Sequence, residues 1–180
     1  VNYDGKPFSI QMPEMAVGWD IKYYADPKDV TTGKYQVSLK FDSQDSKHNE
    51  AHEFFDKMDK LLLEACYENR VNWLKKPSIK KEIIKEFYTP LIKRSIDKET
   101  GEVNGKYPDE FRIKLVKREG VYLFKLFDDN KSMIDTTGEE FVLEEIIKQR
   151  SKFKGIKNCN GVWISGGKFG CTWKGAQIKV

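Results

Sequence analysis

The sequence predicts a mainly β fold with an α insertion, an α+β domain built on a small β-barrel. Three observations favour this fold over repeated β–α–β units. Strand-like segments lie toward both ends of the chain, glycine-containing turns separate them, and one helical stretch interrupts them. Because 180 residues fit one domain, we assign 1–180 to a single domain with its helical insertion at about 49–92.

The first part of the chain carries two predicted strands. Residues 34–41 alternate polar and apolar side chains with a period of two, which is typical of a strand with one buried face. Residues 16–24 alternate less strictly but are rich in aromatic side chains, so we expect the first strand there. Between these strands, the run 26–33 is rich in turn-forming residues and predicts a break.

A change of period marks the helical insertion. From Glu50 onward, apolar residues recur every three or four positions, which places them on one face of a helix of about five turns. The residues of this predicted face are Phe54, Phe55, Met58, Leu61, Leu62, Ala65 and Cys66. Ser78 is a candidate N-cap for a second helix that ends before Pro90. The predicted inner face of that second helix comprises Ile79, Ile83, Phe87 and, less regularly, Ile84.

Turn signals divide the remaining chain. Glu119-Gly120 and Gly166-Gly167 are typical of tight hairpin turns, because glycine readily adopts the positive φ angles that such turns need. The predicted elements, in order, are a polar loop at 97–105, hairpin arms at 111–117 and 121–127, a short helix at 141–149, and hairpin arms at 153–165 and 169–180.

Composition excludes several classes of protein. With 39% hydrophobic and 33% charged residues, the chain has enough apolar surface for a core, which excludes disordered and low-complexity proteins. Its apolar runs are far shorter than the roughly 18 residues that a membrane span needs. No basic stretch followed by an apolar one opens the sequence, so we expect no export. Three cysteines favour reduced thiols in an intracellular protein, with a Cys159–Cys171 disulfide as the alternative.

The sequence marks no active site. His48 and His52 are four residues apart, but they lack the glutamate position of zinc peptidases and a third ligand. Residues 161–169 contain several glycines and a lysine, yet Phe169 stands where a phosphate-binding loop needs Ser or Thr. We also find no carboxylate cluster of the kind that a metal-dependent nuclease needs. We therefore predict a protein without catalytic residues, metal or cofactor.

Charge is segregated along the chain. Segments 42–69 and 119–147 are acidic, whereas segment 70–98 is basic. The last segment, 148–180, contains eight Lys or Arg and no Asp or Glu. Because like charges in one segment repel each other, this pattern favours a polyanionic partner. The alternative is that folding places the acidic segments beside the basic ones.

Aromatic residues are interleaved with the cations of segment 148–180. A surface that holds single-stranded nucleic acid needs cations for the backbone and flat rings for the unpaired bases. The candidate contact residues here are Lys152, Lys154, Lys157, Trp163, Lys168, Phe169, Trp173 and Lys174. Strand alternation leaves open which of the rings face outward. Lys75 and Lys76, next to Trp73, either rim the same groove or belong to a local lid in which Trp73 packs on Pro77.

Several stretches resemble viral single-stranded DNA-binding proteins. Residues 33–41 and the long helix through Cys66 resemble the early strand and inserted helix of bacteriophage replicative single-stranded DNA-binding proteins, which have an OB-fold. The stretches that resemble the single-stranded DNA-binding proteins of giant nucleocytoplasmic DNA viruses are 87–93, 97–102, 105–108 and 161–174. Together these stretches span most of the chain.

The resemblance implies a non-catalytic, sequence-tolerant protein that binds single-stranded DNA in viral DNA replication, recombination or repair. It implies an OB-fold-like five-stranded barrel with a helical insertion between strands, and it adds Tyr107, Arg112 and Lys114 to the contact surface. The expected partners are single-stranded DNA, viral replication proteins and further copies of the chain along the DNA, with no membrane. We expect the protein to act inside the host cell, at viral replication sites.

A protein-interaction scaffold in a viral replication or assembly complex is the alternative function. Its working surface would be the acidic helix at 50–69, with the basic segments balancing that charge. The phage proteins also end in an acidic tail that recruits partners, whereas this sequence ends at Val180 in a basic predicted strand. The recruiting role of that tail is therefore not carried over to this sequence.

Overall fold

The computed structural model describes residues 2–3, 5–138 and 140–180. These residues form a mainly β domain that one long helix and three short helical segments interrupt. The strands are β1 (Asn2–Tyr3), β2 (Lys6–Pro7), β3 (Ser9–Val17), β4 (Lys22–Asp26), β5 (Asp29–Lys40), β6 (Tyr88–Thr89), β7 (Ile92–Lys93), β8 (Glu110–Arg118), β9 (Val121–Tyr122), β10 (Lys125–Phe127), β11 (Lys152–Ser165) and β12 (Lys168–Lys179). The helical segments are α1 (Ser46–Glu68), α2 (Arg70–Leu74), a 3₁₀ helix (Lys81–Phe87) and α3 (Leu143–Ile146).

Ten of the described strands form one sheet. They pair in the order β10–β12–β11–β3–β5–β8–β7, and β4, β6 and β9 attach to β5, β12 and β8, respectively. A parallel bridge between Lys114 of β8 and Lys174 of β12 joins two strands that are not neighbours in this order. The predicted mainly β fold with a helical insertion between strands is confirmed. The sheet has more strands than the five expected, because several strands of two to five residues extend it.

The first predicted strand is divided in the structure. β3 ends and β4 begins within the predicted strand 16–24, and β5 begins inside the predicted break 26–33. Gly33, which the sequence placed in the break, lies within β5. A Cβ at this position would lie 2.5 Å from the carbonyl oxygen of Tyr24, so only glycine permits the close approach of β4. The alternation predicted for 34–41 is confirmed by the burial of Tyr35, Val37 and Leu39.

The long predicted helix is confirmed as α1. Asp45 caps it by accepting hydrogen bonds from two backbone N–H groups of the first turn. Phe55 and Cys66 of the predicted apolar face are buried, but the placement of Leu61 on that face is wrong, because its side chain is 68% exposed. Within the described ranges, we find no helix with the length and apolar character that a membrane crossing requires.

The second helix predicted from Ser78 is confirmed only in part: a helical segment ends before Pro90 as predicted, but its cap at Ser78 is wrong. This segment is the 3₁₀ helix, and the residue at its N-cap position, Lys80, makes no side-chain cap. Of the predicted inner face, Ile84 is buried and Ile83 is exposed. A tight 3₁₀ segment is sufficient to span the short connection between α2 and β6.

Both predicted hairpin turns are confirmed. All four turn residues, Glu119, Gly120, Gly166 and Gly167, have positive φ angles. The second arm of the first hairpin is divided, because β9 pairs with β8 whereas β10 pairs with β12 in parallel. The short helix predicted at 141–149 is confirmed as α3.

An aromatic core fixes α1 on the sheet. The ring of Phe55 stacks on Phe111 of β8, with centroids 4.1 Å apart. The same ring meets Trp173 of β12 edge to face, with centroids 5.5 Å apart. Large aromatic side chains of this kind dominate the energetics of a core because each buries a large apolar area. The helical insertion is therefore packed on the strands.

Candidate nucleic-acid interface

Three predicted contact residues are buried, and their prediction as surface contacts is wrong. Trp173 lies in the aromatic core under α1. Phe169 lies in a second, smaller core, where its ring centroid is 4.9 Å from that of Tyr88. Lys157 is 1% exposed. In each case the strand pairing turns the side chain toward the packed side of β11 or β12, where a ligand cannot reach it.

Lys157 is a lysine whose ammonium group has no hydrogen-bond partner among the described residues. Its Nζ lies 5.3 Å from the ring centroid of Phe111 and 5.7 Å from that of Phe153. Burial lowers the pKa of Lys157 well below its usual value, because the charged form loses its hydration. Aromatic faces attract a cation only weakly in comparison with water. This lysine therefore supplies no charge to a polyanion at the surface.

The outward faces of β5, β8 and β12 meet in a basic groove. In the strand register, Gln36 lies opposite Lys114, and Lys114 is bridged to Lys174. The Nζ of Lys114 donates a hydrogen bond of 3.3 Å to the Oγ1 of Thr172. Two clefts that share Lys114 and Thr172 make up this groove, which we call the basic trough. One cleft also contains Gln36, Arg112 and Trp163 of β11, and the other contains Lys34 and Lys174.

Three lysines in the basic trough act on one another electrostatically. Burial lowers the pKa of Lys114, and the positive charges of Lys34 and Lys174 lower it further. Within the part of the chain that the structure describes, no carboxylate forms an ion pair with any of the three. An anion bound in the trough would relieve this repulsion, so the trough favours anionic ligands.

Trp163 supplies an aromatic surface beside these cations. It pairs with Gly170 across β11 and β12, and a Cβ at Gly170 would lie 2.8 Å from the Cζ2 of Trp163. The indole therefore lies directly over the backbone of β12, in a position that only glycine allows. The ring is half-buried and lines a cleft of about 320 Å³ together with Lys93, Arg112 and Lys114.

The remaining predicted cations of the last hairpin lie outside the basic trough. Lys152 forms an ion pair of 3.3 Å with Glu14. Lys154 is exposed and lines a different cleft, between β3 and α1. Lys168 is exposed at the tip of the hairpin. As nucleic-acid contacts, these three residues stay predictions.

Of the predicted contact residues outside the last hairpin, two lie in the basic trough and three do not. Arg112 and Lys114 belong to the basic trough, whereas Tyr107 is exposed in the loop before β8. Lys75 and Lys76 are exposed where the chain leaves α2. Trp73 packs in the second core near Phe169, with ring centroids 6.2 Å apart, so it is a structural residue.

Besides Thr172 of β12, the two trough residues of β5, Lys34 and Gln36, are absent from the candidates that the sequence provides. Their signal is nevertheless present, because alternate residues of β5 share one face and this face pairs with Arg112 and Lys114. The sequence does not show that β5 and β8 pair with each other, because the whole helical insertion separates these strands along the chain.

Four of the six acidic residues of α1 form ion pairs or hydrogen bonds within the protein. The ion pairs are Glu53–Lys57, Asp56–Lys60, Asp56–Arg94 and Glu64–Lys81. Asp59 is buried and accepts hydrogen bonds from the hydroxyl of Tyr88 and, at 2.9 Å, from the backbone N–H of Leu91. Acidic and basic segments thus meet in part, as the alternative explanation of the charge pattern expected.

The cysteines and histidines have local roles. All three cysteines are free thiols, and the Sγ atoms of Cys159 and Cys171 lie 3.4 Å apart. The hydrogen bond between them lowers the pKa of Cys159 below its usual value. His48 donates from Nε2 to the backbone oxygen of Glu14 at 2.7 Å, which ties α1 to β3. Among the described residues there is no group of three or more His, Cys, Asp or Glu side chains that could hold a metal.

Comparison with known proteins finds similarity at the level of structure. No family model matches the chain, and no curated protein matches it in sequence. The chain is similar to gp2.5, a single-stranded DNA-binding protein encoded by bacteriophage T7, with a TM-score of 0.58 and 15% identity over 97% of this chain and 86% of gp2.5. The chain shares the fold of this phage protein.

A second phage protein has the same architecture. The single-stranded DNA-binding protein of bacteriophage Enc34, in complex with single-stranded DNA, matches with a TM-score of 0.54 and 10% identity over 95% of this chain and 84% of that one. Without the DNA, the Enc34 protein matches with a TM-score of 0.53 and 11% identity over 95% and 79% of the two chains. The expected likeness to phage single-stranded DNA-binding proteins is thus confirmed for the fold, whereas the giant-virus origin stays a prediction.

Proposed function

We propose that this protein is a non-catalytic, sequence-tolerant single-stranded DNA-binding protein that acts in viral DNA replication, recombination or repair. The observation that carries the proposal is the basic trough, where Lys114 shares one cleft with the half-buried ring of Trp163 and another with Lys34 and Lys174, and none of the three lysines pairs with a described carboxylate. The fold shared with the phage proteins, one of which binds single-stranded DNA in its solved complex, supports the same class of ligand.

An OB-type barrel is part of this proposal. The pairings β12–β11–β3–β5–β8 form a series of five strands, and the bridge from β8 back to β12 supports its closure. In this arrangement the basic trough lies on the outer face of four consecutive strands of the barrel, β5, β8, β12 and β11. OB-folds bind oligonucleotides on their strand faces, in agreement with that position.

The chemistry of the trough favours single strands over duplex. Lysines attract the phosphates of either form, but a base can stack on Trp163 only if it is not held between neighbouring bases in the stack of a duplex. The outward face of β5 from Lys34 to Lys40 is about 20 Å long, which is sufficient for several nucleotides. Neither cations nor ring select a base, so binding should tolerate any sequence. The protein would act at intracellular sites of viral DNA replication.

A titration with fluorescent oligo-dT at two salt concentrations tests the proposal. For single strands, log K should fall with log salt by about 0.7 for each phosphate that the trough neutralises. Trp163→Ala should weaken oligo-dT binding by about 1–3 kcal/mol, since one base loses its stacking partner. A duplex of the same length should bind more weakly. Equal affinity for duplex and single strand would contradict the proposal.

A further inference from the structure

Trp19 is an exposed tryptophan with an unusual anchor. It lies between β3 and β4 and is 56% exposed, so the core does not require it. Its Nε1 donates a hydrogen bond of 2.7 Å to the Oε1 of Glu110, a carboxylate that is only 7% exposed. The second oxygen of Glu110 is buried and has no hydrogen-bond partner among the described residues. A buried carboxylate that makes one hydrogen bond to a surface ring lowers the stability of the fold. This cost favours a functional reason for holding the ring in a fixed orientation.

This anchor lies on the same face of the sheet as the basic trough. In the pairing of β5 with β8, Lys40 lies opposite Glu110, four residues along each strand from the pair Gln36 and Lys114. Residues four apart in a strand point to the same side of the sheet. Trp163 lies over β12, whereas Trp19 lies at the β5–β8 pair, so the two indoles lie at different places on this face.

The surroundings of Trp19 fit an anionic strand. The Nζ of Lys40 lies 5.2 Å from the centroid of the indole ring. A Cβ at Gly18 would lie 3.2 Å from the Cε of Lys40 and 3.3 Å from the Oε1 of Glu110, so the backbone approaches both side chains closely. A ring beside a cation repeats, at this second place, the combination that surrounds Trp163.

We propose that Trp19 is a second platform on which an unpaired nucleobase stacks, and that Glu110 is the residue that positions it. The proposal rests on the proposed binding of single-stranded DNA and extends its path from the basic trough to the end of β5. Lys40 contacts the phosphate next to the stacked base. An oligonucleotide that is long enough to reach both indoles gains from both, whereas a short one gains from a single indole.

Binding of fluorescent oligo-dT of two lengths, about 4 and about 12 nucleotides, tests this platform. Trp19→Ala should weaken binding of the longer oligonucleotide on the order of tenfold and leave the shorter one, held at Trp163, within about twofold. Trp19→Phe keeps a ring but loses the hydrogen bond to Glu110, so, like removal of Glu110, it should weaken binding of the longer oligonucleotide. Thermal unfolding of each variant confirms that it folds.

A double-variant comparison separates positioning from direct contact. Glu110→Ala should weaken the longer oligonucleotide about as much as Trp19→Ala does, and the two substitutions together should add little, because both act through the same ring. Unchanged affinity of Trp19→Ala for the longer oligonucleotide would overturn the inference, even if Trp163→Ala still weakens binding. Failure of the unmodified protein to bind oligo-dT would instead reject the proposed function itself.

Discussion

Replacement of Lys157 by methionine should stabilise the protein and change how its stability depends on pH. Methionine has a similar length and no charge, and the Nζ that it removes is buried without a hydrogen-bond partner in the described structure. Removal of an unsatisfied buried donor should raise the free energy of unfolding by about 1–3 kcal/mol at neutral pH. The gain should shrink as pH rises, since the lysine then loses its proton in the unfolded chain too.

The sign of this pH dependence follows from the lowered pKa of Lys157 in the folded state. Between that pKa and the unfolded value of about 10.4, the unfolded chain binds one more proton, so stability rises with pH by up to about 1.4 kcal/mol per unit. Urea unfolding between about pH 6.5 and 9.5 should show this rise in the natural protein and not in Lys157→Met. Lys125→Met, at an exposed lysine, is the matched control. Parallel pH profiles for the natural protein and Lys157→Met would refute the reasoning.

Three further predictions follow from close approaches between side chains. Gly170→Ala should displace the indole of Trp163 and weaken oligo-dT binding about as much as removal of the ring, because its Cβ would lie 2.8 Å from that indole; unchanged affinity would contradict this. Asp59→Ala should lower the free energy of unfolding by about 3 kcal/mol, measured in urea, since the Tyr88 hydroxyl and the buried N–H groups of Leu91 and Ile92 lose their acceptor; a decrease below about 1 kcal/mol would count against it. Hydrogen peroxide should join Cys159 and Cys171, two thiols 3.4 Å apart, in a disulfide as it is reduced to water, seen as a loss of two hydrogens by mass spectrometry; the same mass change in Cys171→Ser would disprove the pairing.

The sequence was sufficient to predict the strands, helices and turns that depend on residues close together along the chain. The strict alternation of β5, the three- and four-residue spacing of α1 and the glycine turns of the two hairpins all appear in the structure near their predicted positions. The type of helix between α1 and β6 was mispredicted. The apolar residues of this region pack in a small second core around Ile84, and short helical turns can bury them as well as a continuous helix would.

The candidate site was predicted less completely because it depends on the pairing of distant segments. Arg112, Lys114, Trp163 and Lys174 were candidates, and the structure brings them together. A strand lysine faces water or the core according to which side of the sheet is packed. The composition of the sequence does not reveal which side Lys157 faces. The same pairing of distant strands determines the position of Lys34 and Trp19, whose importance was invisible until β5 was placed beside β8.

Charge reversal within the basic trough tests the central claim most directly. Arg112→Glu with Lys174→Glu alters two trough cations, whereas Lys125→Glu with Lys148→Glu makes the same change of net charge at exposed positions outside it. In titrations of oligo-dT at two salt concentrations, the trough variant should bind far more weakly, and its salt slope should fall by about 0.7 for each phosphate that it no longer neutralises. The control variant should keep nearly the natural affinity and slope. An equal decrease of affinity in the two variants would show that net charge, rather than the trough, holds the DNA.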